Sequence, residues 1–122
     1  DVMEEKLAER INHIDLAKKT DLFIVAPASA NTIAKLAHGM ADNMLTATAL
    51  ALPSTTPKLI APAMNTKMYE NPLTKKNLKI LQEVGYQEIL PKSGLLACGD
   101  TGRGALADIS VIIESIDNAL TK

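Results

Sequence analysis

Apolar residues follow two different spacings along the chain, and the two spacings alternate from the amino end onward. Residues 22–26, 58–61 and 86–90 are short apolar stretches bordered by proline or glycine, which predicts strands, the first of them buried on both faces. Between them, apolar residues recur every three or four positions, as on one face of a helix. This spacing predicts helices over residues 2–11 and 14–18, from a cap at Ser29, Asn31 or Thr32 to Gly39, from Asp42 or Asn43 to Leu52, from about Pro72 to Gly85, and from Asp108 to Leu120.

Strands that alternate with helices indicate a doubly wound α/β fold. The prediction is a mainly parallel sheet with helices on both faces, of the flavodoxin-like or Rossmann-like kind. A length of 122 residues with 47% hydrophobic content suits one core, so residues 1–122 are predicted to form a single domain. Residues 91–104 hold four glycines without a sustained period, and we predict a loop there.

Composition limits the classes of partner that the chain is expected to bind. The chain has 13 basic and 14 acidic residues with no basic run, which gives no electrostatic footprint for nucleic acid or an anionic membrane. The single cysteine, Cys98, rules out an internal disulfide and a multi-cysteine zinc site, so no metal is predicted. An unpaired thiol suits a reducing compartment, and we expect the cytoplasm.

Small and amide-bearing residues follow each predicted strand, where ligands bind in doubly wound sheets. These segments belong to four motifs: HIDLA at 13–17, APASANT at 26–32, PAMNTKMY at 62–69 and GLLACGDTGRGALAD at 94–108. Each motif alone is weak, but in this order and spacing, over essentially the whole chain, they resemble the homo-oligomeric flavin-containing cysteine decarboxylases. The resemblance implies that the family's first strand and its FMN phosphate loop are missing, so we expect the chain to be truncated at its amino end.

Two positions depart from the commonest family pattern. The GALAD segment replaces the Arg-Met pair that is usual in bacterial fusion proteins, and the chain stops at Lys122, which resembles the stand-alone form. Tyr69 stands where the family often has Trp, and we expect its smaller ring to wall a pocket.

The resemblance implies a reaction as well as a fold. It implies FMN-dependent decarboxylation of 4'-phosphopantothenoylcysteine to 4'-phosphopantetheine in coenzyme A synthesis, through a thioaldehyde and an ene-thiolate. A flavin serves as the electron sink that an ordinary carboxylate needs before it can leave as CO2. The family further implies a homotrimer or higher homo-oligomer. Alternatives are oxidative decarboxylation of a peptide's carboxyl-terminal cysteine, a non-enzymatic regulatory subunit on the same fold, and a doubly wound domain without flavin.

Five residues are assigned to FMN through this resemblance: Ser29, Ala30, Asn31, Thr32 and Ala63. The first four combine small side chains, hydroxyls and an amide with the free backbone donors of a helix start. The simpler interpretation of these four is a helix cap. Ala63 leaves room for the backbone to approach a flavin ring, although an alanine there is also ordinary packing.

Three residues are assigned to the substrate, namely Asn65, Met68 and Ala97. The Asn65 amide can donate hydrogens to a carboxylate without adding a charge that opposes CO2 loss. A capping role for Asn65 is the alternative. Met68, one helical turn further on, would contact the apolar part of the substrate or simply fill the core. The backbone at Ala97 would hold the substrate as the glycine-rich loop closes over it.

His13 and Cys98 complete the predicted catalytic set with Asn65. An imidazole exchanges protons near neutral pH, and the resemblance places His13 in the active site, with an acid–base or an orienting role. Cys98 lies among glycines, where little core exists to fill, and a thiol with an ordinary pKa of about 8.5 stays protonated at neutral pH. We therefore predict that Cys98 donates the final proton. The other histidine, His38, is predicted to be structural at a helix end.

Overall fold

The computed structural model of the protein describes residues 14–95 and 101–121. Residues 14–19 form helix α1. The remaining elements follow in chain order: β1 (Phe23–Ala28), α2 (Ala30–Ala37), α3 (Met44–Ala51), β2 (Lys58–Pro62), α4 (Thr66–Glu70), α5 (Pro72–Glu83), β3 (Tyr86–Glu88), β4 (Lys92–Leu95), β5 (Thr101–Ala105) and α6 (Ile109–Leu120). None of the helices in these ranges is long and apolar enough to cross a membrane.

The first three strands form a parallel sheet in the order β1-β2-β3. Strand β1 continues two residues beyond its predicted end, through Pro27 to Ala28. The register with β2 shifts between Val25 and Ala28, because Pro27 has no N–H to donate to the ladder, and pairing resumes opposite Pro62. Strand β3 is shorter than predicted and ends at Glu88.

Helices cover both faces of this sheet, which confirms the doubly wound prediction. One face packs Val25 and Ile60 against Ile33 of α2 and Leu81 of α5. The opposite face packs Leu59 and Ala61 of β2 against α6. Ile33 and Leu81 are fully buried, and burying a side chain of this size contributes roughly 1.5–3 kcal/mol.

The glycine-rich segment is not the continuous loop that the sequence predicts. Strands β4 and β5 form an antiparallel pair within it, with Gly94 opposite Gly102. The Gly104 carbonyl accepts a hydrogen bond from the Met64 backbone N–H at 2.8 Å, so tertiary contacts stabilise strands that have no hydrophobic period of their own. Helix α4 was also not predicted as an element, because five residues are too few to display helical spacing.

Side-chain caps begin the helices where the sequence predicts them. The Ser29 hydroxyl accepts from the Thr32 backbone N–H at 3.1 Å. At α3, Asn43 is the cap and forms a reciprocal capping box with Thr46. Helix α3 is apolar on more than one face, yet its buried residues are Thr46 and Thr48, whereas Met44, Leu45 and Leu50 are exposed.

Candidate functional site

Three of the four motif segments meet at the carboxyl edge of the sheet. The Ala63 N–H donates to the Ala28 carbonyl at 3.0 Å, which joins the segment after β2 to the end of β1. The next residue, Met64, donates its N–H to the Gly104 carbonyl and so joins the same segment to β5. The parallel strands end at this edge, which is the ligand-binding position in doubly wound sheets.

The start of α2 combines capping with free backbone donors. Ser29 is the N-cap, and its hydroxyl accepts from the Thr32 backbone N–H and donates to the Thr32 hydroxyl. The N–H groups of Ala30 and Asn31 fall in the first turn and have no partner within the helix. The predicted cap is therefore present, and it leaves these two donors for a ligand, so the capping and the flavin interpretations are compatible.

A cleft of about 370 Å³ lies between the first turns of α2 and the helices that follow β2. It brings Asn31 from one motif together with Met68 from another. Its other lining residues are Ala30, Ala34, Asn71, Leu73, Thr74 and Asn77. Asn71, Thr74 and Asn77 are not among the site residues predicted from the sequence. Their spacing of three residues, which places polar side chains on one face of a helix, could have indicated them.

The oxygen and the NH2 group of the Asn65 amide have different roles. Its Oδ1 accepts from the Lys67 backbone N–H at 2.8 Å and caps α4. Because that partner is a donor, the amide atom facing it must be oxygen, which leaves the NH2 group free on an exposed side chain. The capping role is thus observed, and the donor group predicted for the substrate remains accessible.

Met68 and Ala63 occupy different environments at this edge. Met68 is 50% exposed and lines the cleft, so the alternative of a core filler does not describe it. Ala63 is half-buried, and its backbone is engaged with Ala28. Its methyl side chain leaves the edge between β1 and β2 open.

The aromatic residue of the PAMNTKMY segment lies in the core. Tyr69 is 3% exposed and packs among the residues of the α2 and α5 face, which corrects the expectation that its ring walls a pocket. Its hydroxyl donates to Glu88 at 2.7 Å, and Lys75 lies 3.6 Å from the ring centroid. Burial, followed by the Glu88 hydrogen bond, raises the pKa of the Tyr69 hydroxyl.

The cleft has no charged lining residue, so its recognition chemistry rests on amides, hydroxyls and backbone donors. Within residues 14–95 and 101–121, no group of three His, Cys, Asp or Glu side chains could hold a metal ion. His38 is the C-cap of α2 and pairs through Nε2 with Asn77 Oδ1 at 3.0 Å, consistent with a structural role. Three predicted site residues, His13, Ala97 and Cys98, lie outside the described residues, and their roles stay predictions.

The fold and these motifs agree with three known proteins. A probable phosphopantothenoylcysteine decarboxylase of Streptococcus mutans is 61% identical over 119 residues, which cover 98% of this chain and 66% of that protein. A mutant of PPC decarboxylase, solved with pantothenoylaminoethenethiol, superposes with a TM-score of 0.85 at 42% identity over 90% of this chain and 60% of the other. The FMN binding protein AtHal3 gives a TM-score of 0.79 at 44% identity over 87% and 57%.

The chain spans about two thirds or less of the length of these relatives. The similarity nevertheless covers nearly all of this chain, and the flavodoxin-like neighbours share its fold. A family model described as Flavoprotein matches residues 1–121. The resemblance indicated by the four motifs is thereby confirmed, and the chain belongs to the Flavoprotein family.

Proposed function

We propose that this chain is the larger part of an FMN-dependent decarboxylase that converts 4'-phosphopantothenoylcysteine to 4'-phosphopantetheine in coenzyme A synthesis. The observation that carries the proposal is the junction of three motif segments at the carboxyl edge of the sheet, with the Asn65 NH2 group accessible beside it. The names of its relatives support the substrate, and a location in the cytoplasm is part of this proposal.

The residues at this edge fit a flavin. Ala30 and Ala34 line one wall of the cleft with small side chains that leave room for a ligand. Asn31 supplies an amide beside the free N–H groups of the first helical turn. We assign Ser29, Ala30, Asn31, Thr32 and Ala63 to holding FMN; of these, Ser29 and Thr32 are joined by their hydroxyls. When bound, FMN supplies the electron acceptor that makes loss of the cysteine carboxylate possible.

The substrate is held by uncharged groups. The Asn65 NH2 donates to the carboxylate that is lost as CO2, and because it is neutral it stabilises the starting carboxylate less than a cation does and so opposes CO2 loss less. Met68, exposed in the cleft, packs against the apolar part of the substrate. The Ala97 backbone contributes a further contact in this proposal.

Two residues outside the described part complete the proposal. His13 takes part in acid–base exchange or orients the substrate while the thiol side is oxidised. Cys98, protonated at neutral pH, would donate a proton to the carbon of the ene-thiolate, and the saturated product would form with the hydride that the reduced cofactor supplies. Without that proton, the reaction ends at the oxidised ene-thiol.

The test is turnover by the complete gene product, followed by mass spectrometry of the product. The expected results are a yellow protein, CO2 release from 4'-phosphopantothenoylcysteine, and saturated 4'-phosphopantetheine. Cys98→Ser should accumulate a product lighter by one pair of hydrogen atoms. A colourless protein that releases no CO2 when supplied with FMN would refute the proposal.

A second substrate separates this function from its alternatives. Peptides ending in cysteine should not be decarboxylated; efficient turnover of such a peptide, with release of the unsaturated product, would favour the peptide-modifying alternative. Unaltered saturated product from Cys98→Ser at the normal rate would exclude Cys98 as the proton donor and leave the decarboxylation itself standing.

We also propose that the protein is a homotrimer or higher homo-oligomer. Leu50 of α3, which is 62% exposed, is an apolar residue that a second copy would cover. Sedimentation of the complete gene product measures the assembly, and a monomer at micromolar concentration would contradict it.

A further inference from the structure

Strand β5 lies directly on the start of α4, with no side chain from β5 between them. A Cβ atom added at Gly102 would lie 2.6 Å from Thr66 Cγ2 and 2.8 Å from Thr66 Oγ1, closer than real Cβ atoms approach other heavy atoms. Thr66 itself is only 8% exposed. At Gly104, an added Cβ would collide with the Met64 carbonyl oxygen. Both glycines are therefore required by close approach.

These contacts bracket Asn65 on both sides. Met64, the residue before it, donates its N–H to the Gly104 carbonyl at 2.8 Å. Thr66, the residue after it, packs against Gly102. The Asn65 side chain is tied to the same turn through the Lys67 N–H, so its amide orientation follows the position of that turn. The distance between β5 and α4 thus sets where the Asn65 NH2 points.

We propose that Thr66 is a positioning residue: its side chain, seated on Gly102, aims the Asn65 NH2 at the substrate carboxylate. This inference rests on the proposed function, because it assigns the carboxylate to Asn65. It adds a residue whose effect is exerted through Asn65 and not by contact with the substrate.

The contact between Thr66 and Gly102, called the seat below, is steric and not polar. The Thr66 Oγ1 atom is buried and has no hydrogen-bond partner among the described residues, so the hydroxyl does not anchor the turn. A valine has the same shape and leaves no unsatisfied hydroxyl, and Thr66→Val should therefore preserve the seat. Thr66→Ala removes both atoms that crowd position 102 and leaves only Thr66 Cβ, which lies 3.2 Å from the added atom.

The experiment is a double-mutant cycle in the complete gene product, with Gly102→Ala, Thr66→Ala and both together. Gly102→Ala should raise KM for 4'-phosphopantothenoylcysteine about tenfold by displacing the turn, since a misplacement of about 1 Å can cost as much as about a hundredfold. Affinity for 4'-phosphopantetheine, which lacks the carboxylate, should stay within about twofold. The double variant should recover most of the loss, because alanine at position 66 makes room for alanine at position 102.

Gly94→Ala is the matched control in the same hairpin. Its added Cβ would lie 3.4 Å from Ala105 Cβ, an ordinary contact, and KM should not change. If Gly94→Ala and Gly102→Ala raise KM equally, or the double variant is no better than Gly102→Ala, the seat is refuted. Equal loss of affinity for substrate and for 4'-phosphopantetheine would likewise refute the aiming of Asn65.

Two further readouts keep the outcome decisive. If Gly102→Ala does not fold, Thr66→Ala alone must raise KM for the substrate while Thr66→Val does not, and the opposite result overturns the proposal. Thermal unfolding of the same variants measures the contact between positions 66 and 102 without any activity. Coupling in stability with an inactive wild type would therefore reject the proposed function and keep the steric seat, whereas coupling with unchanged KM would reject the positioning role.

Discussion

Asn65 performs its two tasks with opposite ends of one amide group. The oxygen caps α4 through the Lys67 N–H, and the nitrogen remains on an exposed side chain. Aspartate and asparagine are about equally good at an N-cap, because both present an oxygen to the helix. Only asparagine also presents hydrogen-bond donors, so exchanging the two residues separates capping from substrate binding.

For Asn65→Asp we expect a folded protein with very little activity. The free energy of unfolding should change by less than about 0.5 kcal/mol, since the cap oxygen is retained. The specificity constant kcat/KM should fall about a hundredfold or more, because a donor to the carboxylate becomes a like charge. Urea unfolding and steady-state kinetics on the complete gene product measure the two effects.

The matched control is the same substitution at the cap of α3. Asn43 Oδ1 accepts from the Thr46 N–H at 2.8 Å, so Asn43 also caps a helix through its amide oxygen, although it reaches the N–H three residues on and Asn65 the N–H two residues on. Asn43→Asp should leave both stability and kcat/KM near their wild-type values. Full activity in Asn65→Asp would show that Asn65 is a structural cap and nothing more.

At the scale of elements, a buried tyrosine ties α4 to β3. The Tyr69 hydroxyl donates to Glu88 at the end of β3, and Gln82 of α5 donates to the other carboxylate oxygen at 3.5 Å. Burial and the Glu88 hydrogen bond raise the pKa of Tyr69, and burial alone raises the pKa of Tyr86 to about 12. Both hydroxyls therefore keep their protons in the folded protein at a pH where the unfolded chain loses them.

The sign of the pH effect follows from these raised pKa values. Their contribution to stability is complete below about pH 10, the pKa of an unfolded tyrosine, and is lost as pH rises from there through the folded-state pKa. Tyr69→Phe should lower the free energy of unfolding by about 1–2 kcal/mol at pH 8, since Glu88 loses its donor. Above pH 10 the variant should lose stability less steeply than the wild type, by at most about 1.4 kcal/mol per pH unit.

Urea unfolding at pH 8, 9, 10 and 11 checks this prediction. Tyr86→Phe is the companion variant, because its pKa is raised by burial without a carboxylate partner. Tyr86→Phe should also make the loss of the free energy of unfolding above pH 10 less steep, and it should leave the Glu88 hydrogen bond intact. Parallel curves for the wild type and Tyr69→Phe above pH 10 would mean that Tyr69 titrates alike in both states.

Elements with their own local signals were predictable, and those made by tertiary contact were not. Ser29, Asn43 and Pro72 mark helix starts by their intrinsic chemistry, and the apolar stretches of β1 and β2 mark a buried sheet. Strands β4 and β5 have no such signal, because their pairing is supported by contact with the segment after β2. Strand propensity and hydrophobic period do not reveal such tertiary contacts.

The candidate site divides in the same way. The positions of Asn31, Asn65 and Met68 at one edge follow from placing each motif after a parallel strand. The seat of Thr66 on Gly102 does not, since a glycine in a sequence tells nothing about which distant side chain approaches it. Sequence patterns therefore predict that the site lies at the carboxyl edge of the sheet. The tertiary contacts that orient its side chains are seen only in the structure.

At the scale of the whole molecule, β1 is an edge strand in the part of the sheet that the structure describes. It pairs only with β2 there, so its other edge presents unpaired backbone N–H and C=O groups. Leu22, Phe23 and Ile24 line an open apolar cleft together with Met44 and Leu45 of α3. In the relative from Streptococcus mutans, about a third of the length lies outside the region that this chain matches.

We therefore predict that these 122 residues alone bind FMN at least about a hundredfold more weakly than the complete gene product. Two lost charge-assisted hydrogen bonds to a phosphate are sufficient for that difference. Riboflavin, which lacks the phosphate, identifies the cause. The complete protein should prefer FMN strongly over riboflavin, whereas the 122 residues should bind both with similar, weak affinity, since Ser29, Asn31 and Thr32 can contact only the rest of the molecule. Fluorescence titration measures the four dissociation constants, and a strong preference for FMN in the 122 residues would place the phosphate site within them.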